Sequence, residues 1–141
     1  MKRIIIGLTA LMSSIMVHAQ MAVDVHTHII LSEYKELLRR HGAELEETFP
    51  LPEWEAENHI SFMDSAGIGC AVLTMPAPQP YYGDGVESAA CIRHVNEVVA
   101  ETKEKHPGRF LFCAALPLPD VDAAIREAIY ALGTLRADGI K

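Results

Sequence analysis

Cysteine is scarce in this chain, and basic residues are outnumbered. Only Cys70, Cys91 and Cys113 occur, an odd number, widely spaced and set in apolar contexts. That pattern excludes a disulfide framework and a zinc ribbon and reads as small buried hydrophobes, with a single disulfide left open as an alternative. Twelve Lys and Arg stand against nineteen Asp and Glu, a formal charge of −7. An acidic surface argues against nucleic acid and against anionic membrane as partners. There is no glycine-rich phosphate loop, no Gly-x-Ser-x-Gly elbow, no basic patch, no internal repeat and no low-complexity tract. Nucleotide cradling and serine hydrolase chemistry therefore have no carrier here.

Long hydrophobic runs are also missing. The mostly apolar stretch from Ile4 to Val17 is interrupted by Gly7, Thr9, Ser13 and Ser14. It is shorter than the roughly 20 residues of a membrane span. Lys2 and Arg3 precede it, and Val17-His18-Ala19 ends it as a small-residue cleavage site. This order of charge, apolar core and cleavage site is that of a secretory signal. Residues 1–19 are expected to be the signal peptide and residues 20–141 the folded domain, secreted or periplasmic. No Cys follows the apolar run, so a bacterial lipid-anchor site is not expected. The competing reading starts the chain at Met21 and fits that order less well. Cleavage removes Lys2 and Arg3 and takes the formal charge from −7 to −9.

The rest of the chain alternates strand-like and helix-like segments. Val23–Ile29 is predicted as a strand, followed by a helix over Glu33–His41 capped by Ser32 and ended by Gly42. Residues 42–52 read as a polar loop. A second helix is predicted over Glu53–Ala66, with Gly67 as its terminator. Ile68–Met75 is a continuous apolar run of strand length. Pro76, Pro78 and Pro80 make the next segment a loop. Val86–Lys105 is a long amphipathic helix, Arg109–Leu116 a strand, and Val121–Leu135 a helix capped by Asp120. Gly139-Ile140-Lys141 opens a further strand. Strands separated by helices imply parallel pairing and right-handed crossovers. The domain is thus α/β. A complete (β/α)8 barrel needs about 250 residues, so half of a barrel and a small open sheet are the two architectures in play, and an end inside a strand favours the first.

The chemistry concentrates in Asp24-Val25-His26-Thr27-His28. In a strand, residues two apart share a face, so Asp24, His26 and His28 are expected in one row. Imidazoles two residues apart are about 6.5 Å apart along the strand and can both reach one metal ion. Three polar groups on one face of an apolar strand are costly to bury without partners, and a divalent cation would supply one. The plainer reading of His-x-His is a surface or hydrogen-bonded core pair, so the setting has to decide.

That setting resembles a known family. Asp24-Val25-His26-Thr27-His28 is similar to the first-strand metal motif of the amidohydrolase superfamily. Trp54…Phe62-Met63-Asp64…Gly67-Ile68…Ala71-Val72-Leu73-Thr74 resembles the next helix and strand of the amidohydrolase-related group that includes aminocarboxymuconate-semialdehyde decarboxylase. Arg93…Asn96-Glu97, His106-Pro107-Gly108-Arg109-Phe110, Leu116-Pro117-Leu118-Pro119-Asp120 and Asp138-Gly139-Ile140 extend the resemblance through nearly all of the mature chain. It implies a (β/α)8 barrel, here its N-terminal half up to the fourth strand, and a metal-dependent hydrolase or decarboxylase acting on a small carboxylic acid, amide or ester, with the decarboxylase branch favoured. It also implies one divalent ion, zinc in many members, bound by the first-strand histidines, a middle-strand histidine and a last-strand aspartate. Only His26 and His28 have matching positions here. The other ligands and the catalytic residues are expected beyond Lys141.

The remaining candidates carry two readings each. Asp24 either orients a ligand histidine by accepting its hydrogen bond or is a hydrogen-bonded interior carboxylate. Tyr81 and Tyr82, in the loop after a strand's C-terminal end, could contact a substrate ring or be ordinary loop tyrosines. Arg93 and Asn96 share a helix face and are expected to anchor that helix to the barrel; the other reading has Arg93 receive a substrate carboxylate in this or a neighbouring subunit. His41 and His59 are expected on helix surfaces. The partner is then a small-molecule substrate, with no nucleic acid and, after signal cleavage, no membrane; exposed barrel edges are compatible with a homo-oligomer. Two alternatives stay open. One is a polymerase-and-histidinol-phosphatase type phosphoesterase, which shares His-x-His but not the Ile29-Ile30-Leu31-Ser32 sequel. The other is a non-catalytic half barrel.

Overall fold

The computed structural model describes residues 21–43, 45–46 and 49–141. The expected signal peptide lies outside the described residues. Ten elements follow in order: β1 (Ala22–His28), α1 (Ser32–Arg40), β2 (Leu45–Glu46), β3 (Phe49–Pro50), α2 (Ala56–Ala66), β4 (Ile68–Thr74), α3 (Gly85–Lys105), β5 (Phe110–Ala114), α4 (Val121–Gly133) and β6 (Gly139–Ile140). β1, β4, β5 and β6 form one parallel sheet in that order, with α1 and α2 between β1 and β4 and one helix between each later pair. This is the α/β wall expected of the opening half of a (β/α)8 barrel. Among the described residues no helix is long and apolar enough to cross a membrane.

Register decides which side of the sheet is packed. Ala71 pairs with Phe110, and Leu73 with Phe112, so these four share one face. All are essentially buried, and Ile92, Val95 and Val99 of α3, Met63 of α2 and Tyr34 and Leu38 of α1 complete the same core. Each large apolar side chain fully buried there contributes about 1.5–3 kcal/mol. The other face carries Cys70, Val72, Thr74 and Leu111 and is partly open, with Leu111 38% exposed. In a closed barrel that face points inward.

Element ends follow local chemistry. Asp84 caps α3 by accepting from Val86 N (2.8 Å) and Glu87 N (3.1 Å), and Asp120 caps α4 by accepting from Ala123 N (2.9 Å). Gly67 ends α2 in the left-handed region at φ +70°. Three expectations need correction. Ser32 is the first residue of α1 and not its cap; its hydroxyl donates to Glu33 Oε2 at 3.0 Å, and Leu31 holds the cap position without a side-chain bond. α2 starts at Ala56 because Glu55 is still extended, with φ −136° and ψ 139°. The 42–52 segment contains the short antiparallel pair β2–β3, with Leu45 opposite Pro50. All three cysteines are free thiols.

Candidate metal centre

β1 is not a regular strand. Asp24 pairs with Ala71 and Thr27 with Leu73, so three steps on β1 face two on β4. The extra residue is a bulge. Beyond it, His28 pairs with Thr74. Ala71 and Thr74 are three apart on β4 and point to opposite faces. Asp24 therefore lies on the helix-packed side and His28 on the open side. The expected single row of Asp24, His26 and His28 is broken by this one inserted residue. Asp24 Oδ1 accepts the backbone N–H of His26 at 3.0 Å, holding the bulge and not an imidazole.

His26 and His28 do come together. Their ring centroids are 5.1 Å apart at an interplanar angle of 71°. Two imidazoles so placed can both bond one ion at the usual distance of about 2.0–2.1 Å for zinc. Among the described residues no group of three or more His, Cys, Asp or Glu side chains converges on a metal position. Among the described residues, this pair would offer an ion two nitrogen donors. The donor set suits a divalent ion of borderline softness such as zinc.

The end of β1 is tied to β4 by threonines. Thr27 Oγ1 donates to Val72 O (3.0 Å), Thr74 Oγ1 donates to Thr27 O (2.9 Å), and Ile29 N donates to Thr74 O (2.9 Å). Thr74 Oγ1 also lies 2.8 Å from His28 Nδ1. Thr74 was not a candidate in the sequence. Its only signal there is a polar residue closing an otherwise apolar strand.

The other candidates fall elsewhere. Tyr82 stacks on His41, which caps the C-terminal end of α1 and lies just past the helix where it was expected, with centroids 4.3 Å apart and an interplanar angle of 10°. Burial raises its phenol pKa above the ordinary value. Tyr81 is 39% exposed in the loop. Asn96 anchors α3 to the sheet as expected, donating to Ala115 O just past β5 at 3.0 Å, whereas Arg93 ties α3 to α4: its Nε donates to Glu127 Oε2 at 2.7 Å and its guanidinium lies 3.8 Å from the Tyr130 ring centre. His59 is half-buried beside Phe110, not a surface residue, and its Nδ1 accepts the Trp54 indole N–H at 3.1 Å. Burial lowers its pKa, opposed in part by the Asp24 charge. His41 pairs with Glu87 at 2.9 Å. A cleft of about 340 Å³ opens beyond the C-terminal ends of β4 and β5, lined by Met75, Pro76, Gln79 and Leu116 among others. A larger one, about 580 Å³, lies at the opposite end of the strands around Gly67, Gly69 and Arg109. The histidines mark the first of these ends as the place for chemistry.

Comparison with known proteins identifies the family. A family model described as Amidohydrolase matches residues 23–141. The chain is 40% identical to the decarboxylase yanB of Aspergillus niger over 124 residues, covering 84% of this chain and 33% of that protein. It is 31% identical over 120 residues to the 6-methylsalicylic acid decarboxylase of Penicillium expansum, covering 84% and 37%. A crystal structure of an amidohydrolase II superposes with a TM-score of 0.80 at 27% identity, covering 84% of this chain and 39% of that one. The 2,6-dihydroxybenzoate decarboxylase from Rhizobium superposes with a TM-score of 0.66 at 26% identity, covering 84% and 37%. The chain spans about a third of the length of the curated relatives it matches.

Proposed function

The chain belongs to the amidohydrolase family, and from that premise we propose that it supplies the first metal-holding wall of an enzyme that removes carbon dioxide from a small aromatic carboxylic acid. The observation that carries this reading is the His26–His28 pair at the C-terminal end of β1, in a chain 40% identical to a decarboxylase. The 6-methylsalicylic acid decarboxylase among the relatives supports an aromatic hydroxy acid as the substrate class.

His26 and His28 would hold the ion, for which zinc is our choice. When bound, a divalent ion supplies a Lewis acid that orients a carboxylated ring and offsets negative charge developing as the carbon–carbon bond breaks. Val72 and Leu111, on the same face as Thr74 by register, give the site an apolar floor. The threonine ties between β1 and β4 hold the histidine-bearing strand end in place.

Metal analysis and carbon dioxide release test the proposal together. The purified protein is expected to hold about one zinc per chain, and His26→Ala and His28→Ala each to lose it. Carbon dioxide release is assayed with 6-methylsalicylate and with 2,6-dihydroxybenzoate. Absence of metal in the unmutated protein would overturn the metal reading. Metal retained without release from either acid would overturn the decarboxylase reading and favour the non-catalytic half barrel.

A further inference from the structure

We propose that Thr74 is a positioning residue that holds His28 in its metal-ligating tautomer. This inference rests on the reading of His26 and His28 as ligands and adds a residue to it.

A threonine hydroxyl has one proton to give and lone pairs to accept with. The proton of Thr74 is directed to the carbonyl oxygen of Thr27, 2.9 Å away. The 2.8 Å contact between Thr74 Oγ1 and His28 Nδ1 must then be made with the imidazole as donor. In neutral His28 the ring proton therefore sits on Nδ1. The lone pair sits on Nε2. A neutral imidazole bonds a metal only through the nitrogen that carries no proton, and the hydrogen bond made by the other nitrogen selects which one that is.

The acceptor is itself fixed in place. Thr74 closes β4 and its carbonyl receives Ile29 N at 2.9 Å, while Thr27 Oγ1 reaches back to Val72 O at 3.0 Å. Thr74 Oγ1 is thus held by a strand end that is bonded from both sides. No carboxylate is needed for the role: the hydroxyl becomes a committed acceptor because its only proton is already placed. Serine keeps that chemistry. Valine keeps the shape and removes it.

Long-range proton–nitrogen correlation on 15N-histidine-labelled, metal-free protein reads the tautomer directly. The His28 signals are assigned by their loss in His28→Gln. The expected wild-type pattern is a protonated Nδ1 and an unprotonated Nε2. Thr74→Val is expected to move the proton to Nε2 or to give a mixture, and Thr74→Ser to keep the wild-type pattern. Zinc affinity, measured by competition with a chromophoric chelator, should fall about 10–100-fold in Thr74→Val and stay near wild type in Thr74→Ser. A protonated Nε2 in the wild type overturns the proposal whether or not any variant folds. An unchanged pattern in Thr74→Val overturns it as well. If the wild type binds no zinc, the function proposed above fails, and the tautomer measurement still decides the part played by Thr74.

Discussion

Asn96 on α3 makes a closed pair of hydrogen bonds with the backbone of Ala115, just past the end of β5: its Nδ2 donates to Ala115 O at 3.0 Å, and Ala115 N donates to its Oδ1 at 2.9 Å. A side-chain amide here does the work of a neighbouring strand. Both residues are buried, so neither backbone group has water as a substitute.

Asn96→Ala is therefore expected to destabilise the protein by about 2–3 kcal/mol, the cost of leaving buried donors and acceptors unpaired. Urea unfolding followed by circular dichroism measures it. A loss under about 0.5 kcal/mol, the scale of an ordinary surface change, would show that this pair does not hold the β5 end.

The same amide also donates to Glu127 Oε1 at 2.8 Å, while Arg93 Nε donates to the other carboxylate oxygen. Burial is unequal: the Glu127 side chain is 5% exposed and that of Arg93 40%. Removing the cation should thus cost more than neutralising the anion. Arg93→Ala strands a buried charge and is expected to lose about 2–3 kcal/mol. Glu127→Gln should lose about 1 kcal/mol, because Oε1 keeps Asn96 and Arg93 turns to water. Equal losses, or the reverse order, in parallel urea titrations would contradict this account.

His59 makes stability depend on pH. Its Nδ1 is an acceptor for the Trp54 indole, and burial holds its pKa below the ordinary value. A group whose folded pKa is depressed binds its proton more readily in the unfolded chain. Stability is then full above the unfolded-state value of about 6.5 and declines as pH falls through that value towards the folded one. Thermal melts from pH 7.5 to 5 should show a falling Tm, with a shallower fall in His59→Gln. Parallel slopes would remove His59 as the cause.

Much of the wall was legible because its punctuation is strong. Asp120 sits at a helix start where a carboxylate can accept backbone N–H groups, and it does. Gly67 was readable as a stop because a left-handed residue favours glycine. The continuous run from Ile68 marked a strand set between neighbours, and β4 is flanked by β1 and β5. Spacing put His26 and His28 on one face, and the family resemblance made them candidate ligands. Three things were not. The β2–β3 pair is only two residues long on each side, too short for a hydrophobic period to register. The start of α2 was read early because Glu53 and Trp54 look helical in composition, while the backbone at Glu55 remains extended. Thr74 is selected by a contact 46 residues away in sequence, which no local pattern encodes.

The β1 bulge has a consequence for how this strand tolerates change. Between Asp24 and Thr27 the bulge takes up one residue without changing the face of its neighbours. A substitution at Val25 leaves that arrangement intact. Deleting Val25 would restore an even pairing with β4, with Asp24 still opposite Ala71 and Thr27 still opposite Leu73, both on the helix side. One lost codon would then straighten the strand and leave the carboxylate away from the histidine pair. The bulge is thus a place where this strand can change or lose a residue and still present His26 and His28 on the same side.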